Sequence, residues 1–260
     1  MSAISELLAR YPTPTFPPDE LLISSDGVPL ESDWHVIEIS LLRELVHQQL
    51  AGRQDFFAGG NMFIYFDEEH ARNRNFRGPD FFFVWGASPM PLRPYWAVWK
   101  EGGRYPDVII ELLSQATADV DLATKKDIYE QVFHTSEYFC YDPDARKLDG
   151  WRLEKRKYRP IKPNEKGWLE SEQLGLWLGT WSGLHLNRDT TWLRFYTPEG
   201  ILVPTIAEST AMAQQRAAVA QQQAAVAQQA INEQRRRAEV AEAELARLKA
   251  QIEQKKNSTP

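Results

Sequence analysis

The stretch Arg104–Phe133, RYPDVIIELLSQATADVDLATKKDIYEQVF, decides how the chain folds. Within it Glu111 stands between Val108-Ile109-Ile110 and Leu112-Leu113. Such an apolar run, ending in a polar loop, predicts a strand from Asp107 to Leu113 buried on both faces of a sheet. Charged side chains are almost never fully buried unless they are paired or hold a metal. Glu111 therefore needs a partner from elsewhere. Side chains alternate along a strand, so Asp107, Ile109, Glu111 and Leu113 share a face, with Asp107 and Glu111 about 13 Å apart. These two cannot both bind one ion directly.

Asp80 is the better partner. It opens the apolar run Phe81-Phe82-Phe83-Val84 and also follows a proline, Pro79. Two neighbouring strands would bring Asp80 and Glu111 within a few ångströms of a shared cation. Like charges that close raise each other's pKa, and a divalent ion relieves the repulsion. An oxygen-only ligand set suits Mg²⁺ or Mn²⁺.

The positive charge comes from the helix expected from Leu122 to Phe133. Leu122, Ile128, Tyr129, Val132 and Phe133 form its apolar face. At about 100° per residue, Lys125 falls roughly 20° from the centre of that face and Lys126 roughly 80° away. Lys125, rather than Lys126, is expected to point at the sheet and at Glu111. A structural Glu111–Lys125 ion pair is the plain alternative. Asp80 as a third charged member turns the balance toward a site.

Working outward, YPTPTFPPDE (residues 11–20) has too many prolines for a helix and reads as an extended arm. Ser32 or Asp33 can cap a helix from Trp34 to Leu50, whose Ile37, Leu41, Leu42 and Leu45 recur at helical spacing. GGNMFIYFDEE (59–69) predicts a strand entered from a glycine turn, GPDFFFVWG (78–86) a second strand, and WAVWKEGGRY (96–105) a short strand and turn. SEYFCYDPDARKLDGWRL (136–153) predicts two strands joined by an Asp-Pro-Asp turn. Residues 168–204 suggest one or two further hairpins. The order of elements indicates an α/β or α+β domain around a mixed sheet.

After Pro204 the composition changes to Ala, Gln, Glu and Arg. Ala217, Ala220, Ala224, Ala227, Ile231, Gln234, Ala238, Ala241, Leu245, Leu248 and Ile252 alternate in steps of three and four, an a/d seam. Alanine buries little area, so pairing should concentrate at Leu245–Ile252. The expected divisions are an arm at 1–20, a globular domain at 21–204, a coiled-coil helix at 205–256 and a disordered tail at 257–260. Residues 213–252 would join the chain to a second copy or to a partner helix. A lone solvated helix is the other reading.

The chain has 260 residues, 43% of them hydrophobic, enough for one substantial core. One cysteine, Cys140, excludes an internal disulfide and a cysteine-based zinc site. The first 20 residues lack an apolar signal region and no stretch reaches membrane-span length, so the expected location is the cytoplasm. A net charge of −6 argues against tight, non-specific nucleic-acid binding. Charge is local, though. From Arg146 to Lys166 there are nine Lys or Arg against Asp149, Glu154 and Glu165, and Arg72, Arg74 and Arg77 precede Pro79-Asp80. These clusters are either solvated surface or rims facing phosphates.

GPDFFFV, YPDVIIELLS, DLATKKDIY and SEYFCYDPDARKLDGWRL resemble the Uma-two family of restriction endonuclease-like proteins, within the PD-(D/E)XK nuclease superfamily. The likeness covers residues 30–200. It implies a restriction endonuclease-like core with a mixed sheet flanked by helices. It also implies an Mg²⁺- or Mn²⁺-dependent endonuclease acting on DNA. Asp80 matches the motif aspartate, Glu111 the (D/E) and Lys125 the family's helical lysine. The Leu112 carbonyl would be a third metal oxygen. The superfamily's lysine two residues after the acid is here Leu113. His35 resembles a first-helix histidine but reads as a packing residue. Glu38 is a candidate for the first-helix carboxylate of some superfamily members, and Asp107 reads as a strand-entry cap. The competing functional reading is a catalytically silent scaffold that associates through its tail.

Overall fold

The computed structural model describes residues 22, 32–67, 76–114 and 124–257. The N-terminal arm at 1–20, Arg72, Arg74, Leu122 and residues 258–260 lie outside the described residues. The chain divides into two compact units, Met1–Thr205 and Ile206–Pro260.

In the first unit, helix α1 (Asp33–Gln49) starts at Ser32, whose hydroxyl accepts the His35 N–H. Its Ile37, Leu41, Leu42 and Leu45 are buried, as their helical spacing requires. The central sheet contains six strands in the order β1 (Phe56–Gly60), β3 (Phe81–Trp85), β5 (Val108–Leu112), β6 (Glu137–Asp142), β7 (Lys147–Glu154) and β8 (Lys157–Pro160). The β5–β6 pair is parallel and the others antiparallel, so the sheet is mixed. Parallel pairing needs a crossover. Helix α2 (Lys126–Ile128), which runs into a π-helical turn (Tyr129–Phe133), lies within it.

Strand alternation sorts the core into two layers. Phe81, Phe83, Val108, Ile110, Leu112, Phe139 and Tyr141 face α1 and a three-stranded antiparallel sheet of β9 (Leu169–Ser171), β10 (Leu176–His185) and β11 (Arg188–Tyr196). Phe82, Val84, Ile109, Leu113, Tyr138 and Cys140 face Tyr129 and Phe133, together with Ile64 and Trp96 of the small parallel pair β2 (Ile64–Tyr65) and β4 (Trp96–Ala97). Every residue of β5 is buried, as a central strand covered on both faces must be.

The glycines at 59 and 60 do not form the entry turn expected of them. They end β1, a strand absent from the sequence reading. A side chain at Gly59 would meet the Phe82 ring at 2.5 Å. The absence of a Cβ is a packing requirement here, invisible to turn statistics. The Asp-Pro-Asp turn does join β6 to β7, with Asp142 Oδ1 accepting the Asp144 and Ala145 N–H groups at 2.9 Å each.

The second unit is helix α3 (Ile206–Asn257), 52 residues long. Its described side chains are exposed nearly throughout. Among the described residues no helix is long and apolar enough to cross a membrane.

Candidate active site

Glu111 is fully buried, on the α2 side of β5. Strand β3 pairs with β5 in the register Phe81↔Ile110, Phe82↔Ile109 and Phe83↔Val108. Continuing that register by one residue sets Asp80 opposite Glu111. The hydrogen bonds agree: the Asp80 N–H approaches Glu111 Oε2 at 3.4 Å, and the Leu112 N–H donates to Asp80 Oδ2 at 2.7 Å. Asp80 retains partial exposure. Its backbone is held from the other side, where the Asn61 N–H donates to the Asp80 carbonyl at 3.1 Å. A Cβ on Gly60 would lie 2.8 Å from that carbonyl oxygen and 2.4 Å from Ile39 Cγ2, so this approach needs glycine.

The charge facing Glu111 comes from the crossover. Lys125 Nζ lies 3.2 Å from Glu111 Oε2, with its side chain 21% exposed. The Tyr129 hydroxyl donates to Glu111 Oε1 at 2.8 Å. The two donors are four residues apart, a spacing that places them on one face of the helix. Lys126 points elsewhere, its Nζ 3.9 Å from the centre of the Trp151 ring. Tyr129 belongs to the apolar face by its spacing, yet its hydroxyl makes it a polar member of this group. Its spacing from Lys125 was the available signal. Tyr138, from β6, packs edge-on against Tyr129. Burial first, then the neighbouring Cys140 and Glu111 charges, hold the Tyr138 phenol far above its ordinary value.

The remaining candidates separate clearly. The Leu112 carbonyl pairs with His35 Nε2 at 3.2 Å, and His35 Nδ1 with the Ser32 hydroxyl at 2.8 Å. The histidine thus ties α1 to the end of β5. Glu38 lies in the other core layer, where its Oε2 accepts the Leu193 N–H at 3.1 Å and its Oε1 has no hydrogen-bond partner among the described residues. Burial pushes its carboxyl up to about 8, against the pull of the Leu193 N–H and of Arg194. Asp107 marks the opposite end of β5, accepting the Trp85 N–H at 2.7 Å, and burial raises its carboxyl.

Glu137 is a further buried carboxylate. It accepts from the Ser171 hydroxyl at 2.5 Å, from the Glu172 N–H at 2.8 Å and from Arg152 at 3.2 Å. It fastens β6 to β9. Among the described residues, no group of three His, Cys, Asp or Glu side chains is placed to hold a metal.

The basic segment 146–166 spans the β7–β8 hairpin. Internal pairs use part of its charge: Lys147 with Asp149 at 2.7 Å, Arg152 with Glu172 at 2.8 Å and Lys157 with Glu130 at 2.9 Å. Arg146, Lys155, Arg156, Arg159, Lys162 and Lys166 stand exposed. Arg77 is half-buried, with a guanidinium N–H donating to the Phe76 carbonyl at 2.8 Å.

A mixed sheet thus sets Asp80 and Glu111 opposite one another on neighbouring strands, with Lys125 reaching Glu111 from the crossover. The chain belongs to the Uma2 family, described as "Putative restriction endonuclease", whose sequence model matches residues 15–187. The chain is also similar to a solved crystal structure described as a putative nuclease belonging to DUF820 from Anabaena variabilis. That likeness has 13% identity and a TM-score of 0.42, and covers 58% of this chain and 81% of that one. No curated protein matches the chain.

Proposed function

We propose that the protein is a metal-dependent endodeoxyribonuclease that hydrolyses DNA phosphodiester bonds in the cytoplasm. The observation that carries this reading is the meeting of Asp80, Glu111 and Lys125 at one end of the β3–β5 pair. The donor chemistry fits Mg²⁺ or Mn²⁺. Asp80 and Glu111 would supply carboxylate oxygens, and the Leu112 carbonyl, already bonded to His35, only its second lone pair; Mg²⁺ is commonly held by one or two carboxylates together with substrate phosphates and water. A divalent ion held there would polarise the phosphate and make a water more acidic.

The chain's own groups do the rest. Lys125, already beside Glu111, offsets the charge that builds on the phosphate in the transition state. Tyr129 holds Glu111 by its far oxygen, and the Leu112 N–H orients Asp80, so both carboxylates are fixed before substrate arrives. The exposed Lys and Arg of the β7–β8 hairpin contact the DNA backbone without reading bases. The test is nicking of supercoiled plasmid in Mg²⁺ or Mn²⁺. Glu111→Gln and Lys125→Ala should each lower the rate by roughly 100-fold or more. Equal rates for all three proteins would refute the proposal.

A second reading has its own support. Both Glu111 oxygens are already engaged within the protein, by Lys125 and Tyr129. On this reading the domain is catalytically silent, and residues 213–252 join it to a second copy or a partner helix. Metal-dependent stabilisation separates the two readings. A site that binds Mn²⁺ gains about 2.7 kcal/mol at 100 times Kd, and Asp80→Asn should abolish the gain. A silent domain gains nothing in either form.

A further inference from the structure

Helix α3 exposes Ile231, Leu245, Leu248 and Ile252 by 57%, 55%, 52% and 56% respectively. They are too large and too regularly spaced to be scattered surface residues. With Ile231 at a, the heptad runs Gln234 (d), Ala238 (a), Ala241 (d), Leu245 (a), Leu248 (d) and Ile252 (a). A register that instead placed Val219, Val226 and Val240 on the seam would carry Glu233 and Arg247 into it, because all five share one heptad position. The first register is the one an apolar interface can use.

That register also sorts the charges. The e positions are Arg235, Glu242 and Lys249, and the g positions are Arg237, Glu244 and Gln251. In a parallel, in-register pair each g residue meets the e residue of the next heptad on the other helix. Arg237 then faces Glu242, and Glu244 faces Lys249, each twice by symmetry. An antiparallel pair centred on Glu242 would set Glu242 against Glu242 and Arg235 against Lys249. Gln234 argues the same way, since a lone polar residue in an apolar seam is best satisfied by its own copy directly across the axis. Within one helix, Arg237 pairs with Glu233, and Arg235 with Glu239 at 3.0 Å.

We infer that α3 forms a parallel, in-register two-stranded coiled coil with a second copy of this chain, centred on residues 231–252 and aligned by Arg237–Glu242 and Glu244–Lys249 pairs between the copies. This rests on the self-association reading of the tail and not on the nuclease reading. Mass in solution tests one and plasmid nicking the other.

The experiment uses the full chain and two charge variants, each carrying two substitutions. One carries Glu242→Lys and Glu244→Lys, the other Arg237→Glu and Lys249→Glu. Light scattering should give twice the 30.0 kDa chain mass for the natural protein. Each variant alone should fall toward the single-chain mass, and an equimolar mixture should return to the doubled mass as a mixed pair. Leu248→Cys should become disulfide-linked to its own copy under mild oxidation, since Cys140 is buried and does not compete. The inference is overturned by a single-chain or tripled mass for the natural protein. Variants that pair as well alone as mixed, or a Leu248→Cys chain that does not cross-link, overturn it equally.

Discussion

Replacing Glu38 by Gln should stabilise the protein at neutral pH and leave the proposed phosphodiester hydrolysis intact. Glu38 is fully buried between α1 and β11, and its carboxyl is pushed from 4.5 up to about 8. A group whose folded-state pKa is raised gives its full contribution below the unfolded value, and that contribution is lost as pH rises toward the folded value. Here the window runs from about pH 4.5 to 8. At pH 7 the folded protein holds a proton that the unfolded chain releases. Across about 2.5 pH units, at 1.36 kcal/mol per unit, this amounts to about 3 kcal/mol. An amide is always neutral and its oxygen can still accept the Leu193 N–H. Its NH₂ lies in the layer that also holds Tyr141, whose buried hydroxyl has no hydrogen-bond partner among the described residues. The substitution should therefore gain up to about 3 kcal/mol at pH 7, or roughly 6–12 °C in Tm for a domain of this size. The gain should vanish at pH 4.5. Thermal melts of both proteins at pH 4.5, 6, 7 and 8 measure this, with plasmid nicking as the parallel readout. A gain independent of pH, or no gain at pH 7, would refute the reasoning. Loss of nicking with stability retained would return Glu38 to the catalytic machinery.

Three further outcomes follow from the same structure. Lys125→Met strands a buried carboxylate and should cost about 3 kcal/mol, while adding Glu111→Gln should recover most of the loss, because a matched neutral pair carries no unpaired charge; urea melts of the single and double variants decide this. Tyr129→Phe removes one donor to Glu111 and should cost about 1.5–3 kcal/mol, and unchanged urea stability would show that the 2.8 Å hydrogen bond contributes nothing. Gly60→Ala forces a methyl against Ile39 and the Asp80 carbonyl and should cost about 1–3 kcal/mol. A melt indistinguishable from that of the natural protein would mean that β1 does not hold Asp80.

The sequence by itself determined the central strand and the need for a partner to Glu111, because apolar continuity and the cost of burying charge are local properties. It also determined which lysine of the crossover faces the sheet, since helical periodicity fixes direction to within a few tens of degrees. The long C-terminal helix was equally legible, being a one-dimensional pattern. Tertiary structure decided the rest. Asp80 and Glu111 are 31 residues apart, and only strand register sets them opposite each other. Tyr129 could have been apolar filling until the hydroxyl's neighbour was known. Gly59 and Gly60 looked like a turn because their reason is an atom across the sheet, the Phe82 ring for one and the Asp80 carbonyl for the other. Glu38 and Glu111 are both carboxylates among apolar residues, yet one meets a lysine and the other a backbone N–H. Burial can be read along the chain, but the partner of a buried group is a through-space fact that only packing supplies.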